Sequence, residues 1–129
     1  MSHSHGHKGT LKVIVVRGKK LKDEDAIGKS DPYVELWIKK DYKQRTTTKK
    51  GTVNPEWNET FTFNVDGDHH LYLKVLDDDV VSDDKIGEAK VDLKQVYDSH
   101  YLSTDVKLPA LLGLTNHGFI QLVLEFAAH

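Results

Sequence analysis

Cysteine is absent from all 129 residues. That excludes a disulfide framework, a thiol nucleophile and a zinc–thiolate site, and it points to a reducing, cytoplasmic setting. Long apolar runs are missing too. Nothing approaches the roughly 18 residues that a membrane-spanning helix needs, and the N-terminus lacks the apolar stretch of a secretory signal, so membrane contact is expected to be peripheral. Neither sign of charge dominates: 18 Lys and Arg stand against 20 Asp and Glu, a net of -2, which provides no basic field for nucleic acid. The length suits one domain able to bury a core without metal or disulfide staples.

The first nine residues, MSHSHGHKG, are polar and interleaved with His3, His5 and His7. They read as a disordered tail or tag remnant, and residues 10–127 as the single domain. Within it, short β-patterned stretches alternate with turn signals. LKVIVV is β-branched, PYVELWIKK alternates Tyr33, Glu35 and Trp37 against Val34, Leu36 and Ile38, and threonine-rich QRTTTKK reads as a third strand. ETFTFNV places Phe61, Phe63 and Val65 on one face. LYLKVL, GEAKVDL, VKLP and GFIQLVLEF complete eight strands, with a helical turn or two in DLKQVYDSHY. Eight short strands and almost no helix predict an all-β, antiparallel Greek-key β-sandwich.

If each strand reverses the last, the first, third, fifth and seventh loops emerge at one end. Two of them are acidic, KKLKDEDAIGKSD and LDDDVVSDDKIG. Crowded carboxylates repel one another and call for a compensating cation. Carboxylate and carbonyl oxygens on loops suit Ca²⁺, which takes 6 to 8 of them at roughly 2.3 to 2.6 Å, whereas transition metals favour His or Cys. His69 and His70 fall at the opposite end by the same parity. Solvated surface charge accounts for the acidic stretch equally well. An EF-hand loop beginning at Asp77 fails, because Val81 and Ser82 occupy positions that need an oxygen ligand and a glycine.

LKVIVVRGKKLKDEDAIGKSDPYVEL, TVNPEWNETFTF and LKVLDDDVVSDDKIGEAKVDL, in that order, resemble the successive signatures of a C2 domain. The likeness spans roughly residues 10 to 126 and is specific. It implies an eight-stranded sandwich whose loops at one end bind two or three Ca²⁺ ions and dock onto anionic phospholipid. Carried over residue by residue, it implies Asp25, Asp31, Asp77, Asp79 and Asp84 as metal ligands, with carbonyls of Glu24 and Asp78 and with Ser82 as additional oxygens. The chain departs from the pattern at the distal aspartate, where Asp79 to Gly87 is one residue short, and Asp83 competes with Asp84. Only the polar tail precedes Leu11, while GFIQLVLEF supplies a strand at the far end; this resembles the circularly permuted, type II strand order.

Filling the acidic loops with Ca²⁺ would reverse the local potential and attract anionic headgroups. Ile27, Val80 and Val81 then either dip into the interfacial region or pack against neighbouring loops. Lys39, Lys40, Lys43, Arg45, Lys49 and Lys50 form a basic stretch, of which Lys43, Arg45, Lys49 and Lys50 are candidate lipid-facing residues. Trp57 reads as a core or loop anchor, Asn58 as a tie for the second loop, and Trp37 as packing. The resulting expectation is a monomeric, calcium-dependent membrane-targeting or adaptor module in signalling, cytoplasmic and peripheral on the membrane once calcium binds. The alternative is a calcium-independent protein-interaction module on the same scaffold. No base or nucleophile accompanies the carboxylates, so no enzyme is expected.

Overall fold

The computed structural model describes residues 7–22 and 30–129. Along the chain lie β1 (Lys8–Lys19), β2 (Pro32–Trp37), β3 (Lys43–Arg45), β4 (Glu56–Asp66), β5 (His70–Asp77), β6 (Asp84–Asp92), α1 (Lys94–Ser99), β7 (Tyr101–Ala110), a 3₁₀ turn (Leu111–Gly113) and β8 (Thr115–Ala128). Two four-stranded antiparallel sheets result, ordered β4-β1-β8-β7 and β3-β2-β5-β6. The final strand pairs with the first, with Val13 opposite Leu124, as the permuted type II order requires.

Alternation builds the core. Leu11, Val13 and Val15 of β1 and Ile120, Leu122 and Leu124 of β8 are wholly buried, and they meet Val34, Leu36, Leu71, Leu73 and Val75 from the other sheet. Intervening residues such as Lys12, Lys74 and Gln121 face outward. Leu93, Val96 and Tyr97 pin α1 to the core, and His100 closes it in a left-handed conformation, its N–H bonded to the Val96 carbonyl at 2.8 Å.

Several boundaries differ from the sequence reading. β1 begins at Lys8, inside the stretch expected as polar tail, because Gly9 pairs with both Val65 and Ala128. β3 is only three residues long and stops before the threonines. Thr46 takes its place beside β2 with its side chain: the Val34 N–H donates to Thr46 Oγ1 at 2.9 Å, and the Thr46 N–H returns to the Val34 carbonyl at 2.9 Å. A hydroxyl thus substitutes for a ladder carbonyl and ends the strand. β7 begins five residues earlier than VKLP, pairing Tyr101 with Glu125.

Three register shifts lie near one end of the sandwich, between Val15 and Arg17, Val75 and Leu76, and Lys107 and Pro109. Bulges there re-aim the strand ends toward the loops they feed. Core integrity underlies that positioning. Leu122→Ala should destabilise the domain by about 2 to 5 kcal/mol in urea unfolding, since Leu122 is wholly buried at the centre of its sheet.

Candidate functional site

The inward series Leu71, Leu73, Val75 on β5 continues to Asp77, which ends the strand 1% exposed. Its Oδ1 accepts the Asp31 N–H at 2.9 Å, and the Asp31 carbonyl accepts the Asp78 N–H at 2.9 Å. Asp31 Oδ1 in turn accepts the Gly51 N–H at 2.7 Å, and the Thr48 hydroxyl donates to Asp78 Oδ2 at 2.7 Å. The start of β2, the β3–β4 loop and the β5–β6 loop therefore meet at one end. Asp31, Thr48, Lys50, Asp78, Asp79 and Val80 line a cleft of about 330 Å³ between them. Glu24, Asp25 and Ile27 lie outside the described residues, so the first loop's share of this end is not placed.

Above Asp77 the β5–β6 loop folds on itself. The Asp79 N–H donates to Asp83 Oδ1 at 3.2 Å, and the Val81 N–H donates to Asp79 Oδ1 at 3.3 Å. The Tyr33 hydroxyl donates to Asp83 Oδ2, while the Arg45 guanidinium lies 3.6 Å from the centre of the Tyr33 ring. Tyr33 holds the Asp83 carboxyl below the usual carboxylate range, helped by the Asp79 N–H. Burial first, and then the Asp83 acceptor and its charge, push the Tyr33 hydroxyl up to about 12. Asp84 opens β6 opposite Asp77 and is exposed, as is Ser82.

The donors gathered here are carboxylate, carbonyl and hydroxyl oxygens without sulfur or imidazole, a set that fits a hard cation such as Ca²⁺. Among the described residues no three acidic or imidazole groups are arranged as a ready metal cage. The side chains of Asp31, Asp78 and Asp83 are engaged by Gly51, Thr48 and Tyr33 instead. A cation would have to draw them from these donors, or take the Asp78 backbone carbonyl while Thr48 keeps its carboxylate.

Val80 and Val81 at the loop tip are exposed among the described residues, and Val80 stands at the margin of the cleft. The basic stretch divides into two groups. Lys43 sits 4.5 Å from the Trp37 ring centre and 3.6 Å from a Glu35 oxygen, and Arg45 bonds Thr46 and Thr48; both lie on the outer face of β3. The Lys49 N–H is bonded to the Pro32 carbonyl and Lys50 lines the acidic cleft. Trp37 stacks on Tyr72 at 5.8 Å. Trp57 is buried and its indole N–H donates to the Thr47 carbonyl at 2.8 Å, which makes it a loop anchor. The loop ties fall to Asn54, which accepts the Lys20 N–H, and to Glu59, which holds Thr47; Asn58 is exposed with φ of 51°.

Tyr33 and Thr48 were not singled out for the site by sequence reasoning, and Lys50, expected as a lipid-facing residue, was not expected to line the acidic cleft. The only signal for the first two was proximity: Tyr33 follows the Ser-Asp-Pro run, and Thr48 lies near the end of a stretch that reads as plain strand.

This fold and this end together define the class: an antiparallel β-sandwich with an oxygen-rich candidate site on loops drawn from separate parts of the chain. The C2 domain family model matches residues 9–108, and the chain belongs to that family. It is 44% identical over 92 residues to 16 kDa phloem protein 2 of Arabidopsis thaliana, a match covering 69% of this chain and 62% of that protein. It is 34% identical over 91 residues to the Calcium-dependent lipid-binding protein of the same species, covering 69% of this chain and 18% of that one. The chain therefore spans less than two thirds of these relatives. In three dimensions it superposes on a calcium-bound pair of C2 domains from Extended-Synaptotagmin 2 with a TM-score of 0.82 at 25% identity, over 94% of this chain and 46% of that one. Among the described residues no helix is long and apolar enough to cross a membrane.

The Tyr33–Asp83 contact has a signed consequence. Because the folded carboxyl titrates below its unfolded value, its stabilisation is present above the ordinary carboxylate range and is lost as pH falls through the folded value. Tyr33→Phe should raise the Asp83 carboxyl toward the ordinary range in an NMR titration. The stability gap between wild type and variant should close in acid; a gap that persists there would place the tyrosine's contribution in packing.

Proposed function

We propose that this end of the sandwich binds two or three Ca²⁺ ions and, once loaded, docks onto anionic phospholipid as a cytoplasmic membrane-targeting module without catalytic activity. The observation that carries the reading is the meeting of Asp31, Asp77, Asp78 and Asp79 from separate segments beside two fully exposed valines. A C2 relative named for calcium-dependent lipid binding supports it.

Asp31, Asp77 and Asp79 supply carboxylates, Asp25 and the Glu24 carbonyl join them from the first loop, and the Asp78 carbonyl and Ser82 complete the oxygens. Asp84 is the distal ligand, because Tyr33 and the Asp79 N–H already claim Asp83. Bound Ca²⁺ supplies positive charge and open coordination positions for headgroup phosphate or carboxylate oxygens. Until then, the clustered aspartates repel an anionic surface. Val80 and Val81 enter the interfacial region once that repulsion is cancelled, with Ile27 beside them from the first loop. Lys49 and Lys50 lie nearest the docking end, Arg45 reaches it through Thr48 and the Tyr33 ring, and Lys43 contributes only to a surface that extends down the sheet.

Co-sedimentation with phosphatidylserine-containing vesicles tests this. Wild type should pellet with Ca²⁺ and stay in solution with chelator, and the Asp77→Asn, Asp79→Asn double variant should lose the calcium dependence. Ca²⁺ at 100 times its Kd should add about 2.7 kcal/mol to wild-type stability and nothing to the double variant. Asp84→Asn should weaken calcium binding more than Asp83→Asn in calorimetric titration, and the reverse order would transfer the distal role. Pelleting indifferent to calcium would sink the switch, and absence of pelleting would favour a protein partner on the same scaffold.

A further inference from the structure

Resting on that membrane reading, we infer that the β7–β8 turn is a second, preformed membrane anchor, in which Leu111, Leu112 and Leu114 enter the interfacial zone of an anionic bilayer beside Val80 and Val81.

The placement of exposed apolar groups points there. Among the described residues the large hydrophobics in the open are Tyr42, Tyr72, Tyr101, Val80, Val81, Leu111, Leu112 and Leu114. All five aliphatic ones sit on two loops at the same end, and every one elsewhere is a tyrosine carrying its own hydroxyl. Scattered exposure needs no explanation, but such segregation does.

The two loops are also neighbours. β6 and β7 abut across the sandwich edge, where a Cβ on Gly87 would lie 3.0 Å from Leu108 Cβ. Three residues before Gly87 is Asp84, at the foot of the Val80–Val81 loop, and three residues after Leu108 is Leu111, so both tips leave the body at a common level. His117 ties them, its Nδ1 lying 2.8 Å from the Ile86 carbonyl.

The leucines are held outward. Leu111 and Leu112 have φ of 50° and 56°, a left-handed region uncommon for residues other than glycine and asparagine, and Gly113 follows at 85°. The Leu114 N–H closes the turn on the Leu111 carbonyl at 3.0 Å, and the Gly118 N–H on Asn116 Oδ1 at 3.0 Å. At Gly118 an added Cβ would lie 2.7 Å from the Lys19 and Lys20 carbonyls, which fixes the β1 end against the foot of the turn. Four exposed lysines belong to the segments that meet there: Lys20 follows β1, the Lys22 N–H bonds the His117 carbonyl, Lys107 pairs with Phe119, and Lys85, at the start of β6, also pairs with Glu88 at 3.3 Å. An apolar tip above a basic collar complements an anionic bilayer, whose phosphates lie above its acyl chains; a protein groove would need no such charge.

The lack of cysteine makes the test clean. Leu112→Cys, Val81→Cys and, at the far end of β7, Tyr101→Cys each carry one environment-sensitive fluorophore and meet phosphatidylcholine–phosphatidylserine vesicles with Ca²⁺ or chelator. The inference expects a calcium-dependent blue shift and quenching by acyl-brominated lipid at positions 112 and 81 and none at 101. It also expects Leu111→Ser, Leu112→Ser, Leu114→Ser to partition about tenfold more weakly while keeping the full calcium-induced rise in Tm. A response at 81 without one at 112 overturns the inference and leaves the membrane reading standing. No response at either position, with no pelleting of wild type, removes both. A shift at 112 that grows with protein concentration without vesicles assigns the turn to a second copy of the chain and also overturns it.

Discussion

Every second residue of β5 turns into the core, and at Asp77 that alternation delivers a carboxylate where Leu71, Leu73 and Val75 delivered hydrocarbon. Its Oδ1 meets the Asp31 N–H at the mouth of β2, and from this bond the end of the molecule is assembled. Asp31 then holds the β3–β4 loop through Gly51 and the β5–β6 loop through the Asp78 N–H. A buried carboxylate is tolerable only when donors or a cation answer it. The hydrophobic order of the strand and the polar order of the loops thus meet at one residue.

Outward from Asp77, the loops manage their negative charge by local donors. Gly51 answers Asp31, Thr48 answers Asp78, and Tyr33 together with the Asp79 N–H answers Asp83. Arg45 reaches the same neighbourhood through the Tyr33 ring. These bonds tie the acidic loops to neighbouring segments and give each of these carboxylates a donor of its own. The valine tip is tied into that network by its backbone, the Val81 N–H donating to Asp79 Oδ1, while its side chains stand exposed.

Much of the fold was legible because LKVIVV and GFIQLVLEF are rich in β-branched and apolar residues and ETFTFNV alternates strictly. QRTTTKK was misleading because threonine favours strands through its branched side chain yet has a hydroxyl that competes for backbone partners. At Thr46 the hydroxyl prevailed and cut β3 to three residues. Trp57 was foreseen as an anchor, but the loop ties expected of Asn58 fell to Asn54 and Glu59, whose reach depends on how β4 meets its neighbours. Ala110 to His117 read as an ordinary loop, since nothing in the residue types reveals that two leucines adopt left-handed backbone.

Sequence by itself determined the class of fold, the permuted strand order and the clustering of acidic residues on loops of one parity. These depend on local periodicity and chain reversal, which a linear pattern records directly. Only tertiary structure decided which carboxylates are bound to which donors, that Lys50 lines the acidic cleft and Arg45 reaches Tyr33 and Thr48 while Lys43 lies down the sheet on Trp37, and that the valine and leucine loops leave the same end. Those relations join residues tens of positions apart, and their geometry comes from bulges and sheet packing that no local pattern encodes.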